Sequence, residues 1–508
     1  MHLDPFLLAS TTLNLLLQSL IEYNDIEYGI SRFGNELRLV VLGRAGSSVA
    51  LKINGEYSLH AGRPLIIAPM SPQNAAVLRN QLPWLQPKLL GLRTSAGMGD
   101  RLGLATPGHI HAIRKTGGTI APIFAQQSIR EMTRTGRTPQ QVMDDATWGV
   151  FQENWQGGFG ADADHLKTPE DINTCLAAGY TFFTIDPGAY VDNRAESASM
   201  SDLRALAEKL PPELQANASD LLNKKVHIEH VKLTFDEATL LKAMVKYGHA
   251  IWHVTKMYQY LEEVTGDGTF EMEVSVDETE QPTTHAEHVY IASQLKDLDV
   301  EWVSLAPRYV GDFEKGVDYI GDVATFEADI AGHAAIARLF GPYKLSLHSG
   351  SDKFSIYPAA MRQTQGLIHL KTAGTSYLEA LRTIAALDVD FLRKIYVFAR
   401  EHYEADKATY HVSAQLARAP EPENVTDWPS LLEQFDARMI LHHTYGSVLT
   451  QQTSEGKKQF YDHLMSLLRA HPDAYAKNLE KHFMRHLRPF LPVQGRQDFD
   501  PENMNSSH

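Results

Sequence analysis

The chain has 508 residues, 43% hydrophobic and 21% charged, with a net charge of −15 and a single cysteine, Cys175. That composition describes a globular protein rather than a disordered or fibrous one, and it excludes an intrachain disulfide and any cysteine-rich zinc site. The acidic balance argues against a general binder of nucleic acid or anionic membrane, although a local basic pocket can still recruit an anion.

Residues 1–25, MHLDPFLLASTTLNLLLQSLIEYND, are apolar but lack a basic leading segment and carry Asp4 and Asn14. They predict an amphipathic helix and not a signal peptide. No later apolar run approaches the ~20 residues that span a bilayer. With one cysteine fitting a reducing compartment, the expected location is cytoplasmic. The stretch ELRLVVLGRAGSSVALKINGEYSLHAGRPLIIAPM alternates apolar and polar residues between Gly-containing turns, the pattern of antiparallel strands. Residues 1–87 therefore read as an N-terminal α+β extension without obvious chemistry.

From Lys88 the rhythm changes to short apolar runs, most of them followed by a polar loop and a helical pattern. Eight runs qualify: KLLGLRT, TIAPIFAQQS, GFGADADHL, YTFFTIDPG, FEMEVSVDET, EWVSLAPRYV, YKLSLHSGS and LIHLKTAGT. The third is followed by Thr168-Pro169-Glu170-Asp171, a capping hydroxyl, a first-turn proline and first-turn acids, and Gly179 ends the helix. VHIEH, residues 226–230, is the main rival for a strand slot and falls in a long insertion between the fourth and fifth runs. The pattern is helical almost throughout from 386 to 508. The fold expected is α/β: a (β/α)8 TIM-type barrel over 88–385, with the N-terminal extension and a helical C-terminal extension.

Period-two alternation then decides which polar side chains enter the barrel. With Met272, Val274 and Val276 facing the helices, Glu271, Glu273, Ser275 and Asp277 face inward. By the same reasoning Lys344, Ser346 and His348 enter from the seventh strand, His369 and Lys371 from the eighth, Thr184 and Asp186 from the fourth, and Arg308 from the sixth. Unpartnered buried carboxylates are so costly that a cation or proton is expected beside them. Ion pairs locking the barrel layers would satisfy any one of these residues. As a set, His165, Glu273, His348 and His369 should converge on one mouth of the barrel, where imidazoles and a carboxylate suit a divalent metal with open positions for substrate.

Three other features have blander readings. Gly158 to Ala163 fits a GxGxxA dinucleotide fingerprint superficially, but no apolar strand precedes it and Pro169 starts the helix too late. His442-His443 lies in a helical apolar pattern and is assigned to packing or helix surface. GMGDRLG, residues 97–103, has the glycines and charge of an anion loop, with a plain turn as the alternative.

The phrases FGADADHLKTPEDI, FEMEVSVDETEQPTT, SLAPRYVGDFEKGVDYIGD, YKLSLHSGSDKFSIYP and HLKTAGTSYLEALR together resemble the tagaturonate epimerase family, over residues 90–385. The resemblance implies an isomerase that is divalent-metal dependent, with Zn, Mn, Ni or Co as candidate ions, interconverting tagaturonate and fructuronate in hexuronate catabolism. It places the general base on Asp164, with Asp162 as the alternative, and metal ligands on His165 and His348. The fifth-strand acid matches Glu273 best, with Asp277 as its neighbour; His369 as third ligand rests mainly on the alternation. Adjacent Asp164 and His165 would point oppositely in a regular strand, so the strand is expected to have ended there.

The two sugars differ at a carbon β to the ketone, whose C–H is not acidified but whose hydroxyl is an aldol hydroxyl. Removing that hydroxyl proton would cleave the adjacent carbon–carbon bond to an enediolate and tartronate semialdehyde, and re-addition to the rotated aldehyde would invert the centre. A metal would act as Lewis acid, and Asp164 and Glu273 would handle the proton. Arg101, Arg308 and Lys353 are candidates for the substrate carboxylate, with Asp277 beside them in the substrate site. Lys371 as a Schiff-base lysine is an alternative that would leave the histidines without purpose. The expected partner is a small sugar acid or ketose, with no nucleic acid and no membrane, and homo-oligomerisation is left open. Competing functions are an epimerase of neutral ketohexoses, a metal-dependent sugar-acid aldolase or isomerase, and a non-catalytic uronate sensor.

Overall fold

The computed structural model describes residues 13–44, 52–266, 269–372, 374–410 and 412–491. Its N-terminal part is an antiparallel six-stranded sheet of Asn14–Leu15, Ile21–Tyr23, Ile26–Phe33, Glu36–Leu42, Glu56–His60 and Arg63–Pro69. The amphipathic helix expected over residues 1–25 lies outside the described residues up to position 12, and from there on it is corrected. Asn14 and Leu15 pair with Arg32 and Ser31 as an edge strand, and only Leu17–Ser19 form a helical turn. The reason is side-chain period: Leu15 packs with Val40, Leu42 and Leu65, whereas Leu16 packs into the main core. Neighbouring leucines thus serve opposite faces, as in a strand. The sheet leads into the helix Pro72–Gln81, started by Ser71, whose hydroxyl accepts from the Asn74 amide, and by a first-turn proline.

Eight parallel strands, taken here as β1–β8, close the barrel: Ser95–Gly97, Ala121–Ser128, Gly160–Leu166, Phe182–Ile185, Glu271–Val276, Ser304–Pro307, Lys344–Leu347 and Ile368–Lys371. Each pairs with its sequence neighbour, and β8 pairs with β1. Seven of the expected runs supply their strand directly, and the first is corrected: KLLGLRT precedes β1 instead of forming it. Gly91, at φ 58, breaks the extended backbone, and Leu90 packs with Ala121 and Ile123. The Gly91 amide bonds to Glu271 at the start of β5, so this segment closes the end of the barrel away from the chemistry.

VHIEH overlaps Lys225–Ile228, which pairs only with Val231–Thr234 in a separate hairpin within the β4–β5 insertion. A 29-residue helix, Glu237–Thr265, returns from that insertion to β5. After β8 the chain is helical, including Thr375–Leu387, Val389–Asp406, Phe435–His443, Tyr461–Ala470 and Pro472–Leu487. The last of these approaches Thr106–Lys115 so closely that a Cβ on Gly108 would stand 2.6 Å from that of Leu479. His442 and His443 are buried packing residues. The GMGDRLG loop is a turn closed by its own Asp100, whose carboxylate accepts from the amides of Leu102, Gly103 and Ala105. Among the described residues no helix is long and apolar enough to cross a membrane.

Candidate active site

A narrow cavity opens at the C-terminal ends of the strands, the face on which TIM-type barrels carry their chemistry. It is lined by Arg130, Asp164, His165, Asp277, Glu278, Lys315, His348, Ser349, Ser351 and Lys371. Asp164 and His165 both reach it from β3. The strand does not end there, as the sequence led one to expect; it runs to Leu166 and solves the problem with an irregularity. Ala163 pairs with Phe183 and Leu166 with Ile185, so three steps on β3 face two on β4, and His165 adopts φ 56. Such a bulge re-aims one side chain, and a left-handed non-glycine residue is a local strain that clusters at functional sites.

Lys371 on β8 is the hub. Its Nζ lies 3.0 Å from Asp162, 2.7 Å from Asp164 and 2.8 Å from Glu273, and donates to the Thr184 hydroxyl at 2.6 Å. Burial would lower this amine, but Asp162, Asp164 and Glu273 hold it well above its ordinary pKa. A cation so paired is not the free amine a Schiff base requires, and the Schiff-base alternative has no support in this geometry. Burial would raise Asp164, but Lys371, His165 and His348 hold it well below the usual carboxylate range. Asp162 lies deeper, fully buried and outside the cavity lining, and burial pushes it up to about 7 against the pull of Lys371. Of the two candidate bases, the ionised one with access is Asp164.

The second half of the site is built around His348, immediately after β7. Its Nε2 lies 2.6 Å from Glu273 and its Nδ1 3.3 Å from Asp277. Burial opposes the charge, yet Asp277, helped by Glu273, raises the ring to about 10. Glu273 itself is fully buried and does not line the cavity, whereas Asp277 does. His165 faces His348 edge-on at 5.1 Å between ring centres, with its Nδ1 3.2 Å from Asp186. Two imidazoles and several carboxylates from four strands therefore meet, with Glu273 and His348 on the faces that the alternation turned inward.

Other expected residues are placed elsewhere. His369 enters the barrel one level below the cavity, its Nδ1 2.9 Å from the Ser95 hydroxyl and its ring against Phe182, and burial lowers it to about 3. Arg101 is buried against Glu131 with its guanidinium 3.5 Å from the Tyr445 ring centre. Arg308 donates to the Thr279 carbonyl, and the Lys353 ammonium donates to the carbonyls of Glu314, Val317 and Ser351. None of these three lines the cavity. The cations that do, besides Lys371, are Arg130 and Lys315, which the alternation argument missed because neither is on a strand. Arg130 follows β2 in the helix Ile129–Thr135, and Lys315 belongs to the β6 loop, inside the phrase SLAPRYVGDFEKGVDYIGD.

The donor set suits a divalent cation: imidazole nitrogens and carboxylate oxygens share one cavity, and the buried Oε2 of Glu273 has no hydrogen-bond partner among the described residues. At the rim, donor atoms of His165, Asp186 and Glu278 lie within 4.8 Å of one another. There, however, Lys167 already stands 3.2 Å from Asp186 and 3.8 Å from Glu278. The pair His348–Asp277, 3.3 Å apart, is met by the neutral Ser275 hydroxyl, which donates to Asp277 at 2.6 Å, and by no ammonium group among the described residues, which favours the inner position.

A family model described as tagaturonate epimerase matches residues 16–490. A tagaturonate/fructuronate epimerase from Thermotoga maritima is 46% identical over 419 residues, 82% of this chain and 84% of that protein. Two crystal structures of fructuronate-tagaturonate epimerase UxaE from Cohnella laeviribosi, one native and one with a single glycerol, align with a TM-score of 0.89 at 37% identity, covering 95% of this chain and 97% of theirs.

Proposed function

The chain belongs to the tagaturonate epimerase family, and we propose on that premise that it interconverts D-tagaturonate and D-fructuronate by retro-aldol cleavage and re-addition, with a divalent cation, in hexuronate catabolism. The observation that carries the mechanism is the pairing of an ionised, cavity-lining Asp164 with two cavity-lining histidines. His165 and His348 would hold the cation, with Asp277 as the nearest carboxylate. Glu273 and Asp186 bond the other nitrogens of these rings, the supporting role that carboxylates take behind metal-bound histidines. When bound, the cation supplies Lewis-acid stabilisation of the negative charge that develops on the ketone side.

Asp164 accepts the proton of the aldol hydroxyl, and Lys371 at 2.7 Å keeps that carboxylate ionised and oriented. The electrons of the O–H bond form the aldehyde as the adjacent carbon–carbon bond breaks into the enediolate. Re-addition to the other aldehyde face gives an alkoxide, which becomes the hydroxyl of the epimer by taking a proton from the acid on that face, while Asp164 returns its own proton to solvent. The carboxylate serving that face is Asp277 or Glu278, whichever the cation leaves free. Glu273 does not take this role, because it does not line the cavity. Arg130 and Lys315 bind the substrate carboxylate, which favours the uronates over neutral ketohexoses.

Purified protein should convert tagaturonate to fructuronate, with a ~10²–10⁴-fold loss of kcat in Asp164→Asn and no detectable turnover in His165→Ala or His348→Ala. Little solvent deuterium should enter the inverted carbon. Stoichiometric incorporation there would exclude the retro-aldol route, and full turnover after complete metal removal would exclude the cation.

A further inference from the structure

A second cluster of metal-ligating side chains lies outside the barrel, between the helices His285–Asp297 and Val323–Phe340, where donor atoms of His285, Asp329 and His333 fall within 4.8 Å of one another. Asp329 and His333 are four residues apart on one helix, so they share a face. Asp329 Oδ1 lies 3.6 Å from His333 Nε2 and 3.7 Å from His285 Nε2. Those separations are too long for hydrogen bonds. Two atoms that each lie ~2.0–2.1 Å from one zinc ion at tetrahedral or trigonal angles are ~3.3–3.6 Å apart.

The surroundings prepare the three groups for a cation. The other Asp329 oxygen accepts from the Val310 amide at 3.1 Å, which turns Oδ1 toward the histidines. His333 is wholly buried, its Nε2 meets no hydrogen-bond partner of good geometry among the described residues, and the Thr283 backbone also faces the ring. Its Nδ1 lies 2.9 Å from His288 Nδ1, and His288 Nε2 lies 2.7 Å from the Tyr343 hydroxyl. If protons run outward along this relay, from His333 to His288 to Tyr343, the inner His333 nitrogen presents a bare lone pair. That is the arrangement by which a metal-bound histidine donates its second N–H to a neighbour. Gly332 completes the seat, since a Cβ there would stand 2.3 Å from the His285 ring. His285 now donates to the Asp329 carbonyl at 2.9 Å, the contact a cation would replace.

We propose that His285, Asp329 and His333 form a second, structural site for a divalent cation such as zinc, separate from the catalytic cavity. The ion would tie together two loops of the catalytic face. The β5 loop, which carries Asp277 and Glu278, ends in the cap Thr284 beside His285. The β6 loop, which carries Lys315, is bound through Val310 to Asp329. The two loops already meet where Thr283 bonds Arg308 through backbone and hydroxyl.

The test is metal content by plasma mass spectrometry after zinc or cobalt loading and exhaustive dialysis, on the full chain. Asp329→Asn and His285→Gln should each hold one equivalent less than wild type, and the visible absorption that this site contributes to the cobalt-loaded wild type should be missing from both variants. A His165→Ala/His348→Ala background separates this site from the catalytic one: it should retain one equivalent, which Asp329→Asn then removes. If only the catalytic ion fails, wild type holds a single equivalent that Asp329→Asn still abolishes. Unchanged metal content in folded Asp329→Asn and His285→Gln would overturn the second site.

Discussion

Asp162 and Asp164 occupy the same face of β3 two residues apart, and yet their pKa values are shifted in opposite directions. Asp164 meets Lys371, His165 and His348 at the cavity; Asp162 shares the lysine but sits deeper. Its carboxyl is raised from 3.8 to about 7, so the protonated form contributes stability that is complete below pH 3.8 and is lost as pH rises through about 7. Denaturant unfolding across that window should therefore show wild type losing stability relative to Asp162→Asn, and a flat difference between the two would count against the assignment. Lys315 makes the substrate argument testable at the same scale. A charge-assisted hydrogen bond contributes ~1.5–3 kcal/mol, so Lys315→Met should lower kcat/KM for tagaturonate roughly 10- to 100-fold while changing any ketohexose turnover little. Equal losses on both substrates would remove Lys315 from carboxylate recognition.

At the level of elements, the C-terminal helices hold the loop that follows His348. Arg438 donates to Asp352 at 2.8 Å, and the Asp352 amide donates to His486 Nε2 at 2.9 Å. His482 stands 3.9 Å from the same carboxylate, and all of these groups are largely buried. A little upstream, Arg438 also bonds the Gly316 carbonyl, next to Lys315. The extension thus holds two of the loops that line the cavity. Asp352→Ala leaves Arg438 buried and unpaired, a change that typically costs ~3–5 kcal/mol. It should lower the denaturation midpoint and reduce turnover together, and a stable variant with normal activity would show that the extension does not organise the site.

On the scale of the whole molecule, the N-terminal sheet and the barrel share one continuous core. Tyr28, Ile30, Leu39 and Val41 of the sheet belong to the same buried cluster as Phe124, Leu305 and Leu381 of the barrel region. The link is reinforced by Arg79, which bonds Asp144 and Thr147 on the helix Pro139–Gln152. Tryptophan fluorescence and far-ultraviolet dichroism should accordingly report coincident unfolding transitions, and an early separate melting of the sheet would contradict a shared core. The barrel was legible in the chain because period-two alternation, Gly-ended helices and capping signals such as Thr168-Pro169 are local, and the same alternation put Glu273, His348 and Lys371 inside. Family phrases added Asp164 and His165. Local pattern could not say that Leu15 and Leu16 serve two faces of a sheet, nor that Gly91 would turn KLLGLRT into a plug. Nor could it rank the inward residues by depth: His369 and Glu273 sit below the cavity and Asp277 on it because barrel closure sets the levels. Arg130 and Lys315 come from a helix start and a loop, whose direction depends on what packs over them. Sequence alone determined seven of the eight barrel strands, their inward faces and the family; only the closed barrel and its covering helices decided which of those side chains a substrate can touch.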